Sequence, residues 1–132
     1  MASNVILVGD DYGILMELAV GLRGTPYMVT VAESERPLAR ALQLVAHWPK
    51  AMLVMLDGLE TVVDVRALLS SSPETRFVFI VPQMPPRAPL ARVVREHGGV
   101  ILSRKDAPIV VVATLVASLA ETPAAGRPSG AL

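Results

Sequence analysis

Three aspartates and one lysine stand directly after short apolar segments of this 132-residue chain. Asp10 and Asp11 follow the first apolar run, Asp57 follows a second near the middle, and Lys105 follows a short run near the end. In an open parallel α/β sheet, the carboxyl ends of the strands lie along one edge, where ligands bind. If these runs are strands of one sheet, the three carboxylates and the ammonium group meet at that edge although they are far apart in sequence.

Carboxylates that are crowded together repel one another, so a cluster of them requires a cation. Mg²⁺ suits such a cluster, because it prefers oxygen ligands, uses few protein carboxylates and retains several water molecules. Asp11 and Asp57 would supply two oxygens, and the backbone carbonyl of Leu59 would supply a third. Asp10 would orient a metal-bound water. The predicted metal site therefore comprises Asp10, Asp11, Asp57 and the Leu59 carbonyl.

The elements that would position these residues alternate between strand and helix patterns. Apolar or β-rich runs predict strands over residues 4–9, 27–31, 51–56, 76–81 and 100–103. Helical spacing of apolar residues predicts helices over residues 12–23, 34–47, 59–71, 89–97 and 106–121. Five such βα units predict a three-layer α/β/α domain, a flavodoxin-like (βα)5 fold with a five-stranded parallel sheet of order 2-1-3-4-5. Its switch point lies between strands 1 and 3, which are the strands followed by aspartates.

The segment after Asp57 has a second interpretation. Asp57-Gly58 is also a hairpin-turn dipeptide, and residues 59–65 would then return as a strand. The regular βα alternation elsewhere favours the helix.

Composition excludes several classes of protein. Twelve basic and twelve acidic residues give zero net charge, which argues against direct nucleic-acid binding by residues 1–132. The absence of cysteine excludes disulfides and thiol chemistry. Because no secretory signal is visible and no apolar run reaches the roughly 20 residues of a membrane span, we expect a soluble cytoplasmic protein without membrane contact. One domain is expected over residues 1–121, and residues 122–132, rich in Pro, Gly and Ala, are expected to be a flexible tail or the start of a linker.

The order of the acidic and basic motifs resembles the receiver domain of two-component response regulators over about residues 4–120. The matching segments are NVILVGDD at 4–11, MLVMLD at 52–57 and GGVILSRKD at 98–106. Receiver domains carry an acidic pair after strand 1, a phosphoacceptor aspartate after strand 3 and a lysine after strand 5. The resemblance therefore implies phosphorelay signalling, with Asp57 as candidate phosphoacceptor and Lys105 as the matching lysine.

The resemblance also implies a mechanism and a partner. Asp57 would act as nucleophile towards a phosphoryl group, while the metal ion and Lys105 offset the charge of the transferring group. The partner would be a histidine kinase or another signalling protein. Such a domain acts through protein–protein contacts and is not an enzyme that turns over a substrate.

Several positions depart from the receiver pattern. Residues 58–61 read GLET where the family has Met-Pro and then Gly, residues 81–83 contain no hydroxyl, and Leu102 replaces an aromatic residue. Such losses are typical of atypical receivers, or pseudo-receivers. They leave open a phosphorylation-independent interaction or dimerisation module.

Two further hypotheses remain. The Lys105-Asp106 pair is common among regulators with a helix-turn-helix output domain, so the chain is alternatively the N-terminal part of a DNA-binding transcriptional regulator. No helix-turn-helix with a basic recognition face occurs within residues 1–132. A small Mg²⁺-dependent phosphohydrolase with Asp57 as nucleophile is the rival from another class, but no general acid is paired with Asp57 in the sequence.

The last predicted helix is apolar nearly all round. Residues 109–113 read IVVVA, and Leu115, Val116 and Leu119 follow. A helix with a single buried face shows more polarity. Either it makes a broad contact with the core, or a second apolar face forms a homodimer or binds a partner. The resemblance implies a homodimer through helix 4, strand 5 and helix 5.

Overall fold

The computed structural model describes residues 3–120, over which strands and helices alternate along the chain. The strands are β1 (Ser3–Gly9), β2 (Tyr27–Glu33), β3 (Ala51–Met55), β4 (Arg76–Val81) and β5 (Val100–Ser103). The helices are α1 (Tyr12–Gly21), α2 (Pro37–Leu44), α3 (Val62–Ser71), α4 (Ala88–Glu96) and α5 (Pro108–Ala120). A short 3₁₀ turn, Val45–His47, prolongs α2.

The five strands form one parallel sheet in the order β2-β1-β3-β4-β5. β1 and β3 are neighbours, with Val8 opposite Val54, so the segments that follow them leave the sheet side by side. This arrangement confirms the predicted (βα)5 architecture and the position of its switch point.

Two apolar cores lie on the two faces of the sheet. The first packs the sheet against α2, α3 and α4, and the second packs it against α1 and α5. All of Ala51–Met55 is buried, because successive side chains of this central strand point alternately into the two cores. Helices therefore cover both faces of the sheet, and this packing holds its carboxyl edge in place.

The hairpin interpretation of residues 59–65 is wrong, and the helix that replaces it begins later than expected. α3 begins at Val62 rather than Leu59, because the hydroxyl of Thr61 accepts the N–H of Asp64 at 3.1 Å and caps the helix there. α2 begins at Pro37 rather than at residue 34, and the hydroxyl of Ser34 accepts the N–H of Arg36 at 3.1 Å ahead of the helix.

Residues 122–132, expected to be a tail or linker, lie outside the described residues. Among residues 3–120, none of the helices is long and apolar enough to cross a bilayer.

Candidate functional site

The aspartates lie at the carboxyl edge of the sheet, at the switch point. Asp10 and Asp11 follow β1, and Asp57 stands two residues beyond β3. The N–H of Leu56 donates to the carbonyl of Ile80 at 2.8 Å, which extends the β3–β4 ladder up to Asp57. Asp10 and Asp57 are both exposed, while Asp11 is partly buried.

Asp11 is the N-cap of α1. Its backbone is extended, and its Oδ1 accepts the N–H of Ile14 at 3.1 Å. This bond satisfies one of the free N–H groups of the first turn. One carboxylate oxygen of the predicted metal site is therefore occupied by the helix that follows it.

Arg104 brings a cation to the acidic edge. Its Nη2 lies 2.9 Å from Oδ1 of Asp10 and 3.3 Å from the carbonyl oxygen of Leu56. The guanidinium therefore bridges the ends of β1 and β3. The Nε of Arg104 is buried and finds no hydrogen-bond acceptor among residues 3–120.

Lys105, which the sequence singles out, is exposed, and its backbone N–H donates to the hydroxyl of Ser103 at 3.1 Å. The N–H of Arg104 donates to the carbonyl of Val81 at 3.0 Å, so Arg104 still belongs to the β4–β5 ladder. Sequence reasoning did not select Arg104, which directly follows β5 and contacts Asp10, and the role that the resemblance implies for Lys105 stays a prediction.

Asp57 begins a tight acidic turn. Its Oδ1 accepts the N–H of Leu59 at 2.7 Å, and Gly58 has a positive φ of 92°, a conformation that glycine adopts without steric cost. The carboxylate of Glu60 returns to the turn, where its Oε2 accepts the N–H of Asp57 at 2.7 Å and its Oε1 accepts the N–H of Gly58 at 3.0 Å. We name residues 57–60, held in this way, the Asp57 turn.

Burial raises the pKa of Glu60 above its ordinary value of 4.5, and the neighbouring Asp57 carboxyl raises it further. Its backbone hydrogen bonds oppose this shift, because the N–H groups stabilise the ionised form. Sequence reasoning did not identify Glu60 as part of the site. The sequence does contain a signal for this role. Glu60 lies three residues after Asp57, close enough to accept the free N–H groups of a turn.

The side of the turn that faces β4 contacts proline and arginine. A Cβ on Gly58 would lie 3.4 Å from Cγ of Pro82, which follows β4 directly. Arg87, at the start of α4, donates from Nη2 to the carbonyl of Glu60. Pro82 offers neither a hydroxyl nor an N–H to a group bound at Asp57.

The predicted Mg²⁺ site requires carboxylates that lie close together and are available to bind a cation. No group of three or more His, Cys, Asp or Glu side chains that could hold a metal ion occurs among the residues described. Asp10 is paired with Arg104, Asp11 caps α1, and Asp57 closes its own turn. The acidic edge as folded therefore does not fit the predicted set of magnesium ligands.

Comparison with solved structures finds the same fold in receiver domains. A receiver domain of DrrB activated by BeF3 aligns with a TM-score of 0.66 and 14 % identity, over 92 % of this chain and 100 % of that one. The chain has the receiver-domain fold. A CheY-like response regulator receiver domain from Methanospirillum hungatei aligns with a TM-score of 0.71 and 14 % identity, over 90 % of this chain and 94 % of that one.

A third receiver domain, from an HD domain-containing protein of Pseudomonas fluorescens, aligns with a TM-score of 0.69 and 20 % identity. The alignment covers 90 % of this chain and 95 % of that one. No model of a known protein family matches the sequence, and no curated protein matches it. The receiver likeness therefore rests on the fold and on the order of the motifs along it.

Proposed function

We propose that this chain is a receiver-type signalling module that acts through protein–protein contacts, and that its acidic edge works without phosphorylation. Contacts within the chain, from Glu60 to the Asp57 turn and from Arg104 to Asp10, support this proposal. In this proposal the chain turns over no substrate, and its partner is another signalling protein.

The Glu60 carboxylate is the observation that carries the proposal. Backbone N–H groups at a turn bind anions, and here the N–H groups of Asp57 and Gly58 already donate to a carboxylate. A phosphoryl group approaching Asp57 would have to displace Glu60 and would be repelled by its negative charge. The Glu60 carboxylate thus takes up the N–H groups of the turn that could otherwise bind an anion.

Arg104 and Pro82 support the same conclusion. Arg104 neutralises Asp10 directly, which removes part of the charge that would attract a divalent cation. Pro82 has no donor with which to hold a phosphoryl oxygen, so phosphorylation would gain no contact beyond β4. A modification shifts a conformational equilibrium only through contacts that differ between the two states.

A phosphorylation switch at Asp57 is the second candidate, and the exposure of this side chain favours it. Under that candidate, a histidine kinase supplies the phosphoryl group, Mg²⁺ joins the acidic edge, and Lys105 or Arg104 offsets the charge. Glu60 would have to leave the turn first.

Beryllofluoride with Mg²⁺, added to isotope-labelled protein, separates the two candidates. We expect these additions to leave the amide NMR spectrum of the parent unchanged, as they leave that of Asp57→Asn unchanged. Saturable shifts around β3 and β4 in the parent that are absent from Asp57→Asn would overturn the proposal in favour of the switch. Titration with Mg²⁺ alone tests the predicted metal site by the same readout.

A further inference from the structure

A cavity of about 220 Å³ lies between α1 and α5 at the carboxyl edge of the sheet. Its walls include apolar side chains of both helices and of β3 and β4, and four of these residues belong to the second core: Leu18, Met55, Ile80 and Val111. The cavity therefore extends down to buried residues of the core. Concave sites with an apolar lining and a few polar groups are where proteins usually bind small molecules.

Three charged residues line the same cavity: Glu17 of α1, and Arg104 and Asp106 of the β5–α5 loop. Asp106 already accepts a hydrogen bond, since its Oδ2 lies 2.8 Å from the backbone nitrogen of Ser103. The charge of Arg104 is offset by its ion pair with Asp10. Negative charge therefore exceeds positive charge around the cavity, which disfavours an anionic occupant.

Arg104 supplies a polar group at the cavity that lacks a partner. Its side chain extends from the end of β5, past the ends of β4 and β3, to Asp10, which directly follows β1. Its Nη2 donates to Asp10 and to the carbonyl of Leu56, whereas its Nε is buried and has no acceptor in the part of the chain that the structure describes. A buried donor without an acceptor is rare and costs free energy. An oxygen atom brought by a ligand would remove this cost.

The missing acceptor and the surrounding charges define the head group of such a ligand. A carboxylate would be repelled by Glu17 and Asp106. An ammonium group would be attracted to these two residues, but it offers only donors and would leave the Nε of Arg104 without a partner. A carbonyl or ether oxygen accepts a hydrogen bond and carries no charge. An apolar cavity of roughly 150 Å³ holds one benzene molecule, so in proportion this cavity holds about nine non-hydrogen atoms.

We propose that this cavity binds a small neutral molecule, an aromatic or branched aliphatic ketone, ester or ether, whose oxygen accepts the Nε–H of Arg104. The apolar body of the ligand would pack against the four core residues that line the cavity. Arg104 also contacts Asp10 and Leu56, so the ligand would act on the acidic edge through this side chain. The domain would thus have a chemical input separate from Asp57, and this site does not depend on whether Asp57 is phosphorylated.

Amide NMR titrations of the isotope-labelled full chain, with four probes of equal size, test the proposal. Acetophenone is the neutral ketone, and α-methylstyrene has the same shape with a methylene group in place of the oxygen. Benzoate is the anionic probe, and α-methylbenzylamine is the cationic one. We expect acetophenone to shift the amide signals of Leu18, Ile80 and Val111 saturably. It should bind about fivefold more tightly than α-methylstyrene, which is the effect of one hydrogen bond, and more tightly than either charged probe.

Three results of these titrations would overturn the proposal. The first is the absence of saturable shifts with acetophenone, which would show that the cavity does not bind this class of ligand. The second is a charged probe that binds as tightly as acetophenone, which would contradict the assigned head group. The third is a set of shifts confined to Gly13, Val20 and Val112, which would place the probe in the separate outer groove between α1 and α5.

Arg104→Met tests the hydrogen bond itself, because methionine keeps a long apolar side chain but has no donor. This variant, shown to be folded by circular dichroism, should bind acetophenone only as tightly as α-methylstyrene, and its affinity for α-methylstyrene should equal that of the parent. Arg92→Met is the matched control, because Arg92 is exposed on α4, which packs on the opposite face of the sheet. Unchanged binding of acetophenone to Arg104→Met would overturn the assigned ligand class. An equal loss of both neutral probes would overturn it too, since Arg104 would then shape the cavity without donating to the ligand.

Discussion

Asp10 and Arg104, separated by 94 positions in sequence, form an ion pair with 2.9 Å between Oδ1 and Nη2. The same guanidinium contacts the carbonyl of Leu56, so it joins the ends of β1, β3 and β5. Because Arg104 joins the ends of three strands, it stabilises the folded edge of the sheet and also offsets its negative charge. The acidic edge is thus held together by contacts within the chain.

Arg104→Ala is expected to lower the free energy of unfolding by about 1 kcal/mol, which is the upper range for a partly exposed ion pair. Denaturant unfolding measures the change. Lys105→Ala is the matched control, because Lys105 is exposed and its side chain makes no hydrogen bond or ion pair that is described; its effect should stay within about 0.5 kcal/mol. A double-mutant cycle with Asp10→Asn isolates the pair. Equal losses in the arginine and lysine variants would contradict the assignment.

Glu60→Ala is expected to open the Asp57 turn. Two backbone N–H groups lose their acceptor, so the amides of Asp57 and Gly58 should exchange with solvent faster than in the parent. Hydrogen exchange followed by NMR measures this change. Glu74→Ala, which removes an exposed glutamate elsewhere, serves as control.

The same variant tests whether Glu60 keeps anions away from Asp57. Beryllofluoride with Mg²⁺ should shift amide signals around Asp57 more strongly in Glu60→Ala than in the parent. An unchanged response would mean that the carboxylate is not the barrier.

The fold could be predicted from sequence, because each strand and helix has its own local pattern. Ala51–Met55 is uniformly apolar since it is covered on both faces, and the βα alternation then fixes a parallel sheet. The turn chemistry could not be predicted in the same way. Whether Glu60 returns to the N–H of Asp57 depends on the positive φ of Gly58, which permits but does not require it.

The contact between Arg104 and Asp10 could not be predicted for a different physical reason. A shift of one residue at the end of a strand transfers a side chain from one face to the other. The sequence places Arg104 and Lys105 together, and only the hydrogen bond from Arg104 to Val81 decides which one is in the ladder. At the end of a strand, a correct fold prediction therefore does not by itself decide which of two neighbouring side chains enters a site.

The raised pKa of Glu60 predicts a pH dependence of stability. A pKa that is higher in the folded than in the unfolded chain means that the folded state binds the proton more tightly. The stabilisation from protonated Glu60 is therefore fully present below pH 4.5, the ordinary value, and is lost as pH rises through the folded-state pKa. The free energy of unfolding of the parent, minus that of Glu60→Gln, should fall as pH rises across this window. A difference that increases with pH would contradict the assigned direction.

Substitutions of Asp11 distinguish a structural role of this carboxylate at the acidic edge from a metal-binding role. As the N-cap of α1, it needs an oxygen that accepts the N–H of Ile14, and asparagine supplies one without the charge. We expect Asp11→Ala to lower the free energy of unfolding by about 1 kcal/mol and Asp11→Asn to lower it much less. Unfolding with and without added Mg²⁺ completes the test. If Mg²⁺ stabilises the parent but neither variant, Asp11 binds the metal and the capping account of this carboxylate is incomplete.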